Sequence, residues 1–248
     1  MFTYDRFSKV NKQEFERLFH LGWSDKDIAK MLDLTPNGVY QYRQRHGYKR
    51  EKRSAAEDNP LTKDNIEIIL GIMMGDGHME CDYKNARLSL AHCEKQKEYT
   101  FYIANKLSNL NPCIRHSKSK KDKRTGKCYD SYWCCFPANP SFNTIYKHFY
   151  VNRIKRIPIE LFENFTWQSL AYLFMDDGSK VSHGATIATN CFTLEDIHKF
   201  QGFLKGKFNL DTTLNENNVL YINAESFRYM VSNINGYICE CMKYKINK

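Results

Sequence analysis

The sequence predicts an α+β fold: two pseudo-twofold-related αββαββα halves, preceded by a small all-α unit. Three observations lead there. A nine-residue apolar run ending in Asp-Gly occurs twice, as Ile69-Leu-Gly-Ile-Met-Met-Gly-Asp-Gly77 and Leu170-Ala-Tyr-Leu-Phe-Met-Asp-Asp-Gly178. A similar series of strand-like and helix-like segments follows each copy. The first 48 residues carry only the 3.6-residue periodicity of helices.

The N-terminal unit, residues 1–48, reads as three short helices. Lys12 to Leu21 places Phe15, Leu18 and Phe19 at helical spacing. Ser24 caps a second helix carrying Ile28, Ala29, Met31 and Leu32. Thr35-Pro36 opens a third, with Thr as N-cap and Pro at the position where its missing N–H costs nothing; the helix stops at Gly47. The pattern W-S-x-x-x-I-A-x-x-L-x-L-T-x-x-x-V resembles helix-turn-helix proteins. That resemblance makes Asn37, Gln41, Arg43, Gln44 and Arg45 the side chains that reach base edges or phosphates. Residues 49–60 are polar, end in proline and read as a linker.

The halves are expected over residues 61–165 and 166–248. First strands are expected at Gly77 to Cys81 and Ser179 to His183, and second strands at Arg87 to Cys93 and Thr186 to Phe192. Helices are expected at Glu94 to Leu110 and Thr193 to Phe208. Further strands follow at Ser131 to Phe136 and Val219 to Asn223, and closing helices at Phe142 to Tyr150 and Glu225 to Cys241.

The chemistry is expected at the two Asp-Gly ends, where Asp76 and Asp177 lie 101 residues apart. A carboxylate in the last turn of a helix faces the negative end of the macrodipole, which costs about 0.3–1 kcal/mol at an exposed site. Stability alone would not choose that placement twice. Gly77 and Gly178 suit the left-handed position after a helix end. If the two helices pack side by side, Gly71 and Gly75 let their backbones approach and the aspartates converge. Converging carboxylates suit a hard cation, Mg²⁺ or Mn²⁺ in its place, which can clamp a phosphodiester.

This pair of motifs resembles the LAGLIDADG homing endonucleases, in the single-chain form with two motif copies, over about residues 61–248. The resemblance implies a monomer whose halves form a DNA-binding saddle. It implies a metal-dependent endodeoxyribonuclease of the intron-homing kind, cutting both strands of a long semi-palindromic site in double-stranded DNA. It assigns metal binding to Asp76 and Asp177 at the eighth motif position, and to the backbone carbonyls of Gly75 and Asp176 at the seventh. The often acidic sixth position is Met74 and Met175 here. Tyr172 stands where a small residue is common, so the helix interface is expected to be asymmetric. Further catalytic positions carried over are His92 and Asn190, on the second strands, and Lys155 and Lys245, after the closing helices. Rival readings are an RNA maturase acting on intron RNA and a DNA-binding regulator without catalysis.

Charge agrees with a polyanionic partner. The net charge is +9, yet residues 35–53 alone hold +5 and residues 114–128 hold +6. The second cluster, with Lys118, Lys120, Lys121, Lys123, Arg124 and Lys127, is expected on a long hairpin that rides on phosphates. Arg87 and Ser89 are candidates for base readout. No apolar run reaches the roughly 20 residues that span a bilayer, and no apolar leader opens the chain. An intracellular protein is therefore expected (cytoplasm, nucleoid or organelle matrix), not a secreted or membrane one. The nine cysteines lack C-x-x-C spacing and read as reduced thiols.

Overall fold

The computed structural model describes residues 9–49, 59–119, 121 and 124–247. Helices α1 (Lys9–His20), α2 (Asp25–Met31) and α3 (Pro36–Arg45) come first. The first repeat follows: α4 (Lys63–Met74), β1 (His78–Glu80), β2 (Arg87–Cys93), α5 (Lys97–Lys106), β3 (Cys113–Lys118), β4 (Asp130–Cys135) and α6 (Phe142–Phe149). A short hairpin, β5 (Tyr150–Val151) and β6 (Ile154–Lys155), connects to the second repeat. That repeat comprises α7 (Trp167–Asp177), β7 (Gly178–Val181), β8 (Gly184–Ile187), α8 (Leu194–Phe208), β9 (Thr212–Leu214), β10 (Leu220–Asn223) and α9 (Ala224–Ile234). Both repeats thus run αββαββα. The strands form two four-stranded sheets of matching order, β1-β2-β4-β3 and β7-β8-β10-β9, with antiparallel ladders.

Several bounds depart from the sequence expectation. The strand beginning near Thr186 ends at Ile187 rather than Phe192. Beyond it the chain leaves the ladder: Ala188 N–H donates to the Asp177 carbonyl at 3.0 Å, and Thr189 Oγ1 to the Asn218 carbonyl at 2.6 Å. The last helix ends at Ile234 and gives way to 3-10 turns at Asn235–Tyr237 and Glu240–Lys245, around a glycine that helices tolerate poorly. The sequence suggests the left-handed region for Gly77 and Gly178, but neither is among the positive-φ positions. Their requirement is space. A Cβ on Gly77 would stand 2.6 Å from Ile72 Cγ2, and one on Gly178 2.2 Å from Phe174 Cδ2. In each motif the chain turns back tightly over its own helix.

The chain forms two compact units, residues 1–57 with 89–137 and residues 58–88 with 138–248. In the first, α1–α3 bury Phe15, Leu18, Ile28, Ala29 and Val39 among themselves. The expected caps form: Ser24 Oγ accepts from Asp27 N–H at 3.1 Å and Thr35 Oγ1 from Gly38 N–H at 3.0 Å. These helices do not close their core alone. Trp23, fully buried, packs edge-on to Phe101 of α5 at 5.5 Å and tilted to Tyr132 of β4 at 6.1 Å. Arg17 lies 5.0 Å over the Phe101 ring. Most of the stretch read as a linker, residues 50–58, lies outside the described residues.

In the second unit, α4 and α7 lie side by side and run the same way. Gln168 Nε2 donates to Asp64 Oδ1 at 2.8 Å, Thr166 Oγ1 to Glu67 Oε2 at 2.7 Å and Ser169 Oγ to the Glu67 carbonyl at 2.7 Å. Further along, Gly71 faces Ser169 and Tyr172, and Gly75 faces Asp176. Around this pair Ile68, Ile69, Ile72, Leu170, Leu173 and Phe174 are buried.

Candidate active site at the paired helix ends

The close approach of α4 and α7 is what builds the site. A Cβ on Gly71 would lie 2.3 Å from the Ser169 carbonyl oxygen, and one on Gly75 2.5 Å from Asp176 Cβ. Only glycine permits that separation. Tyr172, fully buried, supplies the bulk opposite Gly71, so the interface is asymmetric.

At the C-terminal ends of the pair three aspartates come together. Asp177 is the last residue of α7, whereas Asp76 lies just beyond α4, after Gly75. The Asp76 N–H donates to Asp176 Oδ2 at 3.2 Å, and carboxylate oxygens of Asp76 and Asp176 lie within 4.8 Å of each other. Asp76 is exposed, Asp177 half-buried and Asp176 buried. Burial first, then the charges of Asp76 and Asp176, push the Asp177 carboxyl up to about 7; Lys155 and Lys245 pull the other way.

The two lysines occupy matching places. Lys155, at the end of β6, donates to the carbonyls of Gly75 at 2.9 Å and Gly77 at 2.8 Å. Lys245, in the last 3-10 turn, donates to the carbonyls of Met175 at 2.5 Å and Asp176 at 2.9 Å. Each ammonium therefore sits on the negative end of a motif helix, where a cation is favoured. Burial pulls both ammonium pKa values below the usual lysine value, against the three carboxylates that support the charged form.

The donor set fits a hard divalent cation. Carboxylate and carbonyl oxygens make up the cluster, and burial, joined by the charges of Asp76 and Asp176, raises the Asp177 carboxyl. Asp76 and Asp176 are the carboxylates whose oxygens lie close enough to share one.

Asn190 is exposed in the turn after β8, not on a strand. Its neighbour Cys191 shares the electrostatic environment of Lys155 and Asp177, and burial raises its thiol pKa. Sequence reasoning misses Cys191; the aligned Ala-His-Cys and Thr-Asn-Cys triplets are the signal that could have found it. His92, in the first unit, points to the interior face of β2 with Leu88 and Leu90. There it is buried, and its Nδ1 pairs with Thr100 Oγ1 at 2.9 Å. Strand alternation, with Leu at i−2 and i−4, places it inward.

Among the N-terminal candidates Asn37, Gln44 and Arg45 are exposed and Gln41 half-buried. Arg43 is a correction. It shares the inward face with Val39, four residues away, and is buried. Its guanidinium donates to Asp25 Oδ2 at 3.2 Å and to the Tyr48 carbonyl at 3.1 Å. It braces α3 and is not presented to a partner.

The described residues of the basic stretch flank a hairpin. β3 and β4 pair from Cys113↔Cys135 to Lys118↔Asp130, and Ser119 N–H extends the ladder to the Tyr129 carbonyl at 2.8 Å. Lys118, Lys121, Arg124 and Lys127 are exposed; Lys120 and Lys123 lie outside the described residues. Ser89 is half-buried on the outer face of β2. Arg87, on the same face, is engaged by Glu80 at 2.7 Å and Asp82 at 3.1 Å. Beside Ser89 in the first unit, the outer face carries Trp133, 41% exposed, and Arg115, its cross-strand neighbour. Sequence reasoning misses both, although outward positions on alternating strands are the place to look.

A profile described as the LAGLIDADG DNA endonuclease family matches residues 66–230. A second, the putative ATPase subunit of terminase (gpP-like), matches residues 12–54. The cytochrome b mRNA maturase bI2 of Saccharomyces cerevisiae is 31% identical over 207 residues, 75% of this chain and 48% of that protein. This chain thus spans about half the length of that relative. The DNA endonuclease I-ChuI of Chlamydomonas applanata is 25% identical over 210 residues, covering 75% and 96% of the two chains. The solved structure of the homing endonuclease I-WcaI bound to its DNA recognition sequence superposes with a TM-score of 0.67 at 23% identity. It covers 88% of this chain and 96% of that one, a likeness of fold. No helix among the described residues is long and apolar enough to cross a membrane.

Proposed function

This chain belongs to the LAGLIDADG DNA endonuclease family, and we propose that it is a divalent-metal-dependent endonuclease that cuts both strands of a long site in duplex DNA. One observation carries the reading: three aspartates meet at the parallel ends of α4 and α7, with a lysine seated on the carbonyls of each motif. Nothing in helix stability calls for acids there.

In this reading Asp76 and Asp177 are the metal-binding acids, with Mg²⁺ the natural ion and Mn²⁺ a substitute. A bound divalent ion neutralises the carboxylates, polarises the phosphodiester and stabilises the leaving oxygen. The chain's own residues prepare that arrangement. The glycine contact holds the two helix ends together. Lys155 and Lys245 are positioning residues that fix the motif carbonyls and place positive charge beside the phosphate path. The outer sheet faces, with Ser89, Arg115 and Trp133 on the first, contact the bases. The helices α1–α3 act as a helix-turn-helix, presenting Asn37, Gln41, Gln44 and Arg45.

Cleavage of a plasmid library with and without Mg²⁺, with the cut ends sequenced, tests the activity and maps its site. Absence of any Mg²⁺-dependent linear product would reject the endonuclease. The relation to the bI2 maturase favours a second reading, assistance to intron RNA splicing. It predicts RNA binding and splicing that survive loss of both acids.

The metal has a signature that needs no substrate. Asp177 titrates near 7 in the folded chain but near 3.9 when unfolded. Between those values the folded state holds a proton that the unfolded state lacks, so this group's stabilising contribution falls as pH rises through about 7. A divalent cation needs the ionised form. In thermal melts with EDTA or Ca²⁺, the cation-induced rise in Tm is expected to grow from about pH 6 to about pH 8. Asp177→Asn should flatten that dependence. Equal melting with and without cation at the upper pH would argue against a metal at these acids.

The β3–β4 hairpin is expected to contact phosphates. Changing Lys118, Lys121 and Arg124 together to Ala should flatten the dependence of log affinity on log salt by about 2–3 units, with specific and non-specific DNA affected alike. An unaltered slope would place the hairpin off the DNA.

A further inference from the structure

The connector between the repeats carries a feature that the proposed chemistry leaves unused. β5 and β6 form a hairpin whose loop is only Asn152 and Arg153, at φ 51° and 64°. Two consecutive residues of positive φ make a type I′ turn, whose twist matches the strands and leaves little freedom. The base of the hairpin is pinned. Tyr150 hydroxyl accepts from Met79 N–H at 3.2 Å, Arg156 N–H donates to the Phe149 carbonyl at 2.7 Å, and Lys155 is bonded to the Gly75 and Gly77 carbonyls.

The tip is uncovered. Val151 and Ile154 are direct cross-strand partners, 51% and 61% exposed. Asn152 and Arg153 between them are also exposed. Single apolar residues on a surface need no explanation. An adjacent β-branched pair on a braced two-residue turn, flanked by a guanidinium and an amide, is a small rigid apolar edge with polar flanks. Ile154 directly precedes Lys155 on the strand, so the tip adjoins, along the chain, a residue whose ammonium reaches the motif carbonyls, with the two side chains on opposite faces.

We propose that this tip is a DNA wedge: Val151 and Ile154 press into the groove beside the scissile phosphates and part a base step, while Arg153 and Asn152 hold the flanking backbone. The inference rests on the endonuclease reading. Apolar wedges of this chemistry unstack a step and kink the duplex, letting it follow a protein surface. Charge complementarity from Arg153 and the adjacency of the tip along the chain to Lys155 choose DNA as the occupant.

The test uses Val151→Thr/Ile154→Thr, which keeps β-branching at exposed positions and so keeps the hairpin. The probe is a synthetic duplex of the mapped cut site, with 2-aminopurine at each central position in turn, held uncut with Ca²⁺. Wild-type protein is expected to raise fluorescence at one step, and the double variant not to. With Mg²⁺ the variant should cut the matched duplex about tenfold more slowly, yet come within about twofold of wild type on a duplex mismatched at that step, where unstacking is already cheap. No bright step with wild type, an unchanged signal in the variant, or an equal loss on both duplexes would overturn the wedge. If wild type cuts DNA but the variant behaves identically, the wedge alone fails. If wild type cuts no DNA with Mg²⁺, the endonuclease reading fails and takes the wedge with it.

Discussion

Asp177→Asn is expected to lower double-strand cleavage by about a thousandfold or more while leaving DNA affinity within a few-fold of wild type. The same holds for Asp76→Asn. Asparagine keeps the shape of the side chain but offers a neutral oxygen, a weak ligand for Mg²⁺. The sheets and helices that would grip DNA are untouched. Loss of one carboxylate also relieves repulsion, so both variants should melt at least as high as wild type in EDTA near pH 8. Parallel gel-shift and cleavage assays decide it. Full cutting by either variant would move the chemistry away from these helix ends. Loss of binding in step with cutting would make the acids structural.

Gly71→Ala is expected to destabilise the protein by about 3 kcal/mol, although alanine is normally the better helix residue. Its Cβ would lie 2.3 Å from the Ser169 carbonyl oxygen and 2.7 Å from Tyr172 Cβ, so α7 must retreat along its length. A packed interior has no slack to absorb that. Because the same interface sets the distance between Gly75 and Asp176, cleavage should fall further than stability alone would explain. Gly202→Ala is the matched control. It lies in α8, exposed, with nothing within 4 Å of an added methyl, and should stabilise by about 0.5–1 kcal/mol. Denaturant midpoints of the two variants should therefore move in opposite directions. Movement of both in the stabilising direction would mean that α4 and α7 are not in close contact.

Much of the architecture is legible in the sequence because its signals are local. Thr35-Pro36 announces a helix start through a cap and a fixed φ, and α3 begins there. Arg87 to Cys93 reads as a strand, and β2 has those bounds. The doubled Asp-Gly run announces a repeat, and the element order repeats. Errors arise where a local rule has competing causes. An Asp-Gly end suggests a left-handed glycine, but here Gly77 and Gly178 are needed because the chain folds back onto Ile72 and Phe174. Basic residues on a polar helix suggest a nucleic-acid face, but one turn of periodicity carries Arg43 inward to Asp25.

The sequence by itself determined most of the helices, strands at Arg87 and near Ser131, the caps at Ser24 and Thr35, and that two acids stand at equivalent helix ends. Those properties depend on residues within a turn or two of one another. Only the tertiary structure decided what surrounds the acids. Lys155 reaches Gly75 across 80 positions, Lys245 reaches Asp176 across 69, and the Asp76 N–H meets the Asp176 carboxylate across 100. Asp177 titrates near 7 because packing removes its water and brings two more carboxylates beside it. Desolvation and Coulomb energy depend on distance in space, and no periodicity along the chain encodes that.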